Sequence, residues 1–378
     1  MREQKSKNKP KVSIIITVKN GEKYLEECLE SIYKQTLQDI EIVAVYSDSH
    51  DNTLGILKDY QKKDKWLVIH VEERAGIGLA KNTGIKTATG EFITFLDGDD
   101  YYIEEDSLES MYNAAKEHDV KICGAFRNVL TVDGVLEPLP LHRAYLIGFP
   151  QGRLFSYKNT QYDYHFHSYI YDREMIINSD ARFAEIRAYD DTNFHIRAML
   201  KGNKFYVVPK ELYCYRCHES YAWKNEICYE VIKSLGNQLK LTRENNLEIC
   251  HYFAMQRMSY EYGPLFEKYI REGDLKILEL MLDAQKEVDD KMIKKVVENQ
   301  PDSNIVTPMN FSNQEVKHIE NLGITKYIFA PIYNLINNGK NINYKEEYER
   351  IYYSKTFKIG QKVVWLPKRI LKFLHLKK

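Results

Sequence analysis

Between residues 12 and 96, short apolar runs rich in β-branched side chains alternate with longer stretches in which apolar residues recur every three or four positions. The first pattern is typical of buried strands and the second of amphipathic helices. Strands that alternate with helices of about a dozen residues form parallel βαβ units. The pattern therefore predicts an α/β fold with a doubly wound, mostly parallel, Rossmann-like sheet. The predicted strands are 12–18, 40–46, 67–72 and 92–96, and the predicted helices are 22–35, 52–62 and 78–88.

The rest of the chain predicts a helical C-terminal region behind a less regular segment. Residues 140–185 are aromatic and loop-like, whereas the spacing from about residue 226 to residue 321 is helical. Other predicted elements are a helix after residue 106, an edge strand near 120–124, a helix at 194–200 and a strand at 205–208 that ends at Pro209. These patterns predict four segments, namely a basic N-terminal tail (1–11), an α/β domain (12–222), a helical domain (223–350) and a basic amphipathic tail (351–378).

Polar clusters follow three of the predicted strands. They are Thr17 to Glu22 after the first strand, Ser47 to Thr53 after the second, and Asp97 to Asp100 after the fourth. Taken alone, each of the first two is better explained as a turn with a helix cap, because Ser, Asp and Asn cap helices. The carboxyl ends of parallel strands, however, meet at one crevice, where open α/β proteins bind ligands. The acidic turn at 97–100 is either a solvated surface turn or a site that holds a cation, because carboxylates so close repel one another.

These clusters, in their order along the chain, resemble the motifs of the inverting GT-A nucleotide-sugar glycosyltransferases of family 2, including those that build bacterial surface glycans. That family typically has Tyr-Asn-x-Glu after a strand, then Asp-Asp-Gly-Ser-x-Asp, then Ala-Arg-Asn-x-Gly, then Phe-Leu-Asp-Ser-Asp-Asp. The resemblance covers roughly residues 11–222. The matching segments are Lys19-Asn20-Gly21-Glu22, Ser47-Asp48-Ser49-His50-Asp51, Ala80-Lys81-Asn82-Thr83-Gly84 and Phe95-Leu96-Asp97-Gly98-Asp99-Asp100.

The resemblance implies a nucleotide-diphospho-sugar donor, with a UDP-sugar as the leading candidate, and a Mn²⁺ or Mg²⁺ ion that bridges its diphosphate. Hard carboxylate oxygens suit these ions. Asp97 and Asp99 would hold the metal, and Asp97 could meet the ribose instead, but spacing leaves open which of Asp97, Asp99 and Asp100 touches it. Lys81, where the family usually has Arg, would face the phosphates. The other implied donor-binding residues are Thr17, Asn20 and Glu22 around the base and ribose, Ser47, Asp48 and Gly98 beside them, and Arg216 and His218 at the diphosphate.

One departure from the family concerns the base of the nucleotide. The family commonly has a pair of Asp residues after the second strand, and one of them contacts the base. This chain has Tyr46 and Ser47 there. A serine hydroxyl forms hydrogen bonds but carries no charge, so the sequence leaves the identity of the nucleotide open.

The general base is predicted from a second pair of carboxylates. Inverting transfer needs a group that deprotonates the acceptor hydroxyl on the face opposite the leaving group. The family supplies it from a Glu-Asp pair before a Phe-x-x-Arg helix, and the segment from Tyr189 to Arg197 fits this pattern, with Asp190 in place of Glu. The resemblance implies Asp191 as the base. The alternative is a pair of residues that cap the following helix, and both hold if Asp190 is the cap.

The charge of the chain is unevenly distributed, although its total is zero. Residues 355–378 contain eight Lys or Arg and no acidic residue, and residues 1–11 have a net charge of +4, so the part between the two ends is acidic. An acidic body argues against nucleic-acid binding, and basic ends favour an anionic surface. Apolar residues, including Trp365, lie among the tail cations, as in segments that bind anionic membranes. The alternative is a terminal helix that packs on the acidic body.

These features predict a cytoplasmic protein at the inner face of the cell membrane, with a glycan or lipid-linked glycan as its acceptor. No apolar run reaches the roughly 18 residues that span a bilayer. The absence of a leader before residue 12 and the six Cys predict free thiols in a reducing compartment.

Other functions explain less of the pattern. A sugar-nucleotide nucleotidyltransferase would have a Gly-rich, basic loop after the first strand, which the chain lacks, and a non-catalytic glycan-binding relic of the fold stays open because of Ser47. The Gly76-to-Lys81 segment begins like a dinucleotide fingerprint but follows the wrong strand. Cys214 to His218 has the spelling of a haem attachment site, yet it also matches the Leu-Tyr-x-Tyr-Arg of the family. His165 and His167 lack partners with zinc spacing, which favours an acceptor-site or surface role.

Overall fold

The computed structural model describes residues 9–63, 67–71, 76–130, 136–138, 152–217 and 224–298. The described residues up to 217 form one compact unit and those from 224 form a second.

The first unit contains ten described strands in one mixed sheet, with helices beside it. The strands lie in the order β3-β2-β1-β4-β9-β6-β10-β5, with β7 against β6 and β8 against β10. Their bounds are β1 (Val12–Val18), β2 (Ile40–Ser47), β3 (Leu67–Val71), β4 (Phe92–Asp97), β5 (Tyr101–Tyr102), β6 (Ile122–Leu130), β7 (Leu136–Pro138), β8 (Arg153–Ser156), β9 (Tyr169–Asp172) and β10 (Lys204–Arg216). The helices are α1 (Leu25–Tyr33), α2 (Thr53–Lys63), α3 (Gly76–Thr87), α4 (Ser107–Glu117), α5 (Tyr157–Thr160), α6 (Arg173–Ile177) and α7 (Thr192–Gly202).

The parallel half of the sheet confirms the prediction from hydrophobic periodicity. β1 pairs with β2 and β4, and β2 pairs with β3, all in parallel. Every residue of β1 is buried, as expected for a central strand covered on both faces. In α1 the buried side chains include Leu25, Cys28, Leu29 and Ile32, which lie on one helical face. The carboxyl ends of β1, β2 and β4 therefore lie side by side.

Two strand predictions were wrong. The segment near residue 122 is not an edge, because β6 lies between β9 and β10. Its neighbour β9 comes from the aromatic stretch that showed no clear period, and it runs antiparallel to both β4 and β6. The strand that begins at Lys204 does not end at Pro209 but continues to Arg216, with register shifts between Val207 and Glu211 and between Glu211 and Tyr213. A bulge accommodates a proline, which has no N–H for the ladder.

An aromatic cluster packs against β4 and holds the chain around residues 166–194. Phe95 of β4 lies edge-on to four rings at centroid distances between 5.0 and 6.3 Å. Such pairs contribute about 0.5–1.5 kcal/mol each beyond burial. The cluster anchors the loop before α7 beside the end of β4. Its other members are Phe166, Tyr171, Phe183 and Phe194.

The second unit is helical throughout its described residues, as predicted. α8 packs against α9 and α11, and α9 packs against α12. A π-helical turn over Arg257–Glu261 continues α9. The helices are α8 (Asn225–Glu244), α9 (Glu248–Gln256), α10 (Gly263–Arg271), α11 (Leu275–Gln285) and α12 (Asp290–Glu298).

Within the described ranges, no helix combines the length and the apolar character that crossing a membrane requires. The six Cys, all within the described residues, form no disulfide bond. The basic tail at 351–378 and residues 1–8 lie outside the described residues.

Candidate active site

The site begins where β1 and β4 end next to each other. Thr17 of β1 is in register with Asp97 of β4, and its Oγ1 donates a hydrogen bond to Asp97 Oδ1 at 2.9 Å. Gly98 follows at once, and its N–H bonds the carbonyl of Thr17 at 3.0 Å. A Cβ at Gly98 would lie 2.7 Å from Val18 Cγ2, so a larger residue here would require the Val18 side chain to shift.

The loops after β1 and β2 are joined by reciprocal hydrogen bonds. Asn20 has a positive φ of 51°; its N–H donates to Ser49 Oγ, and its Oδ1 accepts from the His50 N–H. Glu22 does the same, bonding Asp51 through its N–H and accepting from the Asn52 N–H at 3.0 Å. These predicted base- and ribose-binding residues are exposed at the crevice, and their side chains fix the two loops to each other.

Ser47 and Asp48 lie at the end of β2 in the same region. Ser47 is partly exposed and Asp48 is exposed. Tyr46, which stands where the family has an Asp, is buried, and its hydroxyl accepts a hydrogen bond from the Ser49 N–H at 3.0 Å. Tyr46 therefore shapes the loop after β2.

The three carboxylates of the acidic turn have different surroundings. Asp97 accepts from Thr17 and lies 3.0 Å from His167 Nε2 and 4.0 Å from Lys81 Nζ. Burial opposes its charge, but the Lys81 ammonium, His167 and Thr17 together hold the pKa of Asp97 well below its usual range. Asp97 is therefore an anion, and Asp99 beside it is partly exposed.

Asp100 is engaged with the end of β10. Its carboxylate accepts hydrogen bonds from the hydroxyl of Tyr213 and from the backbone N–H of Arg216, the latter at 2.7 Å. Burial, with Asp99 and Asp97 nearby, raises the pKa of Asp100 well above its usual value. Asp100 is buried and bound by two protein donors, whereas Asp97 and Asp99 are partly exposed, which favours Asp97 and Asp99 among the possible metal ligands.

Arg216 holds the acidic turn from the outside. Its Nε donates to the carbonyl oxygen of Asp99 at 2.9 Å, and its guanidinium stacks 4.2 Å from the ring of Tyr24 and forms an ion pair with Glu27. Arg216 is therefore at the site, where the resemblance implies a diphosphate contact. His218 lies outside the described residues.

Lys81, which α3 positions, connects the acidic turn to the loop before α7. Its Nζ lies 3.4 Å from Asp190 Oδ2 and 4.0 Å from Asp97 Oδ1. The side chain is only 3% exposed, with Nζ 4.6 Å from the ring centroid of Phe166. Burial alone would lower the pKa of Lys81, but the carboxylates of Asp190, Asp97 and Asp191 outweigh it and raise that pKa. Lys81 is therefore a buried, charged ammonium.

Asp191 lies at the start of α7. It occupies the N-cap position, yet its side chain makes no capping hydrogen bond, and the His195 N–H bonds its backbone carbonyl at 2.9 Å. The idea that Asp190 caps this helix was wrong, because the Asp190 carboxylate turns to Lys81 instead. The loop that carries the candidate base thus lies beside the carboxylates at the end of β4.

His167 is a site residue that sequence reasoning did not assign. It was considered only for zinc or for an acceptor or surface role, whereas its imidazole pairs with Asp97 and packs 3.6 Å from the ring of Phe166. The signal was its place in an aromatic run, but only the insertion of β9 beside β4 brings it to Asp97. His165 has a positive φ of 65° and accepts a turn hydrogen bond from Ser168.

The residues present fit a divalent metal that a diphosphate would help to hold. Across the described parts of the chain, no three His, Cys, Asp or Glu side chains form a ready-made metal cage. Mg²⁺ sites of this kind use one or two carboxylates and take the other ligands from substrate phosphates and water. The partly exposed carboxylate of Asp99, next to Asp97, matches that donor set.

The chain is similar to several known proteins. Residues 13–179 match the family model described as glycosyl transferase family 2. The chain is 31% identical over 211 residues to the uncharacterized glycosyltransferase EpsJ of Bacillus subtilis, covering 55% of this chain and 61% of EpsJ. It is 26% identical over 272 residues to the glycosyltransferase GlyA of Streptococcus pneumoniae, covering 66% of this chain and 37% of GlyA. The chain thus spans less than two thirds of the length of these curated relatives.

Solved structures share the fold. The structure of Staphylococcus aureus TarS 1–349 in complex with UDP-GlcNAc superposes with a TM-score of 0.63 at 21% identity, covering 87% of this chain and 92% of that one. The same fragment with UDP gives the same TM-score at 20% identity, covering 88% and 94%. Taken with the ordered motifs and the strand ends that carry them, these matches show that residues 13–179 are similar to glycosyl transferase family 2 and that the chain shares the fold of the TarS structures.

Proposed function

We propose that this protein is a metal-dependent inverting glycosyltransferase, which moves a sugar from a nucleotide-diphospho-sugar to a glycan or lipid-linked glycan. One observation carries the proposal. Lys81 Nζ lies within 4.0 Å of both Asp97, on the candidate donor side, and Asp190, on the loop of the candidate base. Groups for leaving-group stabilisation and for proton removal thus share one crevice at the carboxyl edge of the sheet.

The donor is bound from the loops after β1 and β2. Their joined backbone exposes Asn20, Glu22, Ser47 and Asp48 toward the place where a nucleoside would lie, and Thr17 orients Asp97 for the ribose. A UDP-sugar is the first donor to test, because the similar fold of TarS was solved with UDP-GlcNAc.

Charge develops on the departing diphosphate, and the acidic turn lies where a cation would neutralise it. Asp99, supported by Asp97, would hold a Mn²⁺ or Mg²⁺ ion, which when bound acts as a Lewis acid on the diphosphate oxygens. Arg216 fixes the backbone of Asp99, so the carboxylate has a defined position before the donor arrives. The role of the chain here is to preorganise ligands for the charge of the transition state.

Asp191 removes the proton of the acceptor hydroxyl. The nucleophilic oxygen then attacks the anomeric carbon, the bond to the diphosphate breaks, and the configuration inverts. The Asp191 side chain makes no capping hydrogen bond at the start of α7.

Nucleotide binding with and without metal tests the proposal. By calorimetry, we expect UDP to bind the wild type in the presence of Mn²⁺ and to bind it about tenfold or more weakly when Mn²⁺ is left out. In the presence of Mn²⁺, Asp99→Asn should bind UDP as weakly as the wild type does without the metal. Asp59→Asn is the matched control, because this exposed residue of α2 pairs only with Lys62 among the contacts described. If the affinity for UDP is the same with and without Mn²⁺, the proposed metal dependence is wrong. If the protein binds none of UDP, GDP and TDP, it is a non-catalytic relic of the fold.

We further propose that the enzyme acts in the cytoplasm at the inner face of the membrane. The support is the cluster of eight Lys or Arg without acidic residues at 355–378, interleaved with apolar side chains. A lipid-linked acceptor would lie at such a surface.

A further inference from the structure

The cation of Lys81 already has two partners inside the protein. Its Nζ lies 3.4 Å from Asp190 and 4.0 Å from Asp97, and the rings of Phe166 and Phe183 lie 4.6 and 5.3 Å from it. Both Lys81 and Asp190 are buried, at 3% and 6% exposed. The Lys81 ammonium therefore interacts with carboxylates of the protein itself, whether or not a ligand lies in the crevice.

Two neighbours of Lys81 on α3 hold the same loop. Asn82 forms a two-way bond with Phe183, its Nδ2 donating to the carbonyl at 2.9 Å and its Oδ1 accepting from the N–H at 3.0 Å. Gly78 lets the backbone approach so closely that a Cβ there would lie 1.8 Å from the Ala184 carbonyl oxygen. Positions 78, 81 and 82 lie on one helical face, because residues three and four apart are neighbours on a helix. Residues 183–190 therefore pack against that face of α3.

The loop that contacts α3 is also tied to the start of α7. The Ala184 N–H bonds the carbonyl of Asp190 at 3.0 Å, which closes the segment into a compact turn just before Asp191. A displacement of Asp190 would therefore move Asp191 as well.

We propose that Lys81 is a positioning residue, whose ammonium joins Asp97 to Asp190 and so sets the candidate base Asp191 relative to the donor carboxylate. This differs from the phosphate contact implied by the resemblance, and it rests on the proposed function.

Two variants distinguish a positioning role of Lys81 from a phosphate contact. The first removes the cation, and the second removes the cation together with one of its carboxylate partners. In Lys81→Met the buried carboxylate of Asp190 and the partly exposed carboxylate of Asp97 lose their shared partner, and an unpaired buried charge is strongly destabilising. In Lys81→Met with Asp190→Asn, one of these charges is removed too. Lys81→Arg keeps the cation, and Lys86→Met, at an exposed position of α3, is the matched control.

We expect Lys81→Met to lower kcat about 100-fold, while the Kd for UDP with Mn²⁺ changes less than about threefold. The double variant should regain about tenfold of kcat and melt at a higher temperature than Lys81→Met. Lys81→Arg should keep kcat within about tenfold of the wild type. These changes report positioning, because general loss of structure would weaken UDP binding too.

A phosphate contact gives a different result. The Kd for UDP would then rise about tenfold or more in Lys81→Met, and Asp190→Asn would not restore it; this result overturns the proposal. If Lys81→Met does not fold, Lys81→Arg and the double variant decide, and a double variant that also fails to fold overturns it. If the wild type transfers no sugar, the proposed function fails, but the melting temperatures still test the Lys81–Asp190 pairing.

Discussion

Two Asp residues of the acidic turn, only three positions apart, have different environments. Asp97 is an anion held by Thr17, His167 and Lys81, whereas Asp100 is buried against Tyr213 and the Arg216 backbone. The Lys81 ammonium beside Asp97 and the hydrogen-bond donors beside Asp100 relieve the repulsion between the carboxylates of the turn. Identical side chains therefore take separate roles according to the neighbours that the fold supplies.

Asp100 should matter for stability more than for the metal. In Asp100→Ala the Tyr213 hydroxyl and the Arg216 N–H lose their acceptor, which costs about 1–3 kcal/mol of the free energy of unfolding. Asp100→Asn keeps the shape and one acceptor oxygen, and because burial already raises the pKa of Asp100 the neutral amide should cost about 1 kcal/mol or less. Urea unfolding measures both. Loss of Mn²⁺-dependent UDP binding in Asp100→Asn, as in Asp99→Asn, would make Asp100 a ligand instead.

Asp191→Asn keeps the shape of the side chain and removes the base. Because the Asp191 side chain does not cap α7, the helix should persist. We expect UDP affinity with Mn²⁺ to stay near that of the wild type while sugar transfer falls about 10²–10⁴-fold. Steady-state rates and calorimetry on one preparation give both quantities. A parallel fall in UDP affinity would mean that Asp191 acts structurally and that the base lies elsewhere.

At the scale of elements, β9 and β10 build the half of the site that local patterns missed. β9 enters antiparallel between β4 and β6 and brings His167, just before it, to the end of β4. β10 passes Pro209 through a bulged register and ends at Arg216, beside the acidic turn. The βαβ half was predictable because each strand and helix shows its own period. An aromatic strand of four residues shows none, and a proline ends a strand only where a regular ladder needs its N–H.

At the scale of the whole molecule, the charge separates an acidic body from basic ends. The described residues of the second unit are helical and hold buried polar pairs such as His251 with Thr242, at 2.8 Å. Burial lowers the pKa of His251 to about 4, so it is neutral. The basic tail that follows this unit lies outside the described residues, and its role is a prediction from composition.

Removal of the tail from Ser354 onward should release the protein from anionic vesicles. Each cation near such a surface contributes about 1 kcal/mol, and buried apolar side chains add to it. We expect the full chain, but not the truncated one, to sediment with phosphatidylserine vesicles, less so at high salt. Metal-dependent UDP binding should persist, since the described site residues all precede residue 217. A truncated protein that unfolds or aggregates would instead place the tail on the acidic body.

The sequence by itself determined the parallel strands, their helices and the resemblance to glycosyl transferase family 2, because periodicity, β-branching and polar clusters at strand ends act within a few residues of the chain. Only the tertiary structure decided which carboxylate meets which partner. Lys81 and Asp190 are 109 positions apart, Asp100 and Tyr213 are 113 apart, and Asp97 and His167 are 70 apart. A hydrogen bond or an ion pair depends on distances of a few ångströms, and strand order and loop packing set those distances. No local pattern encodes them.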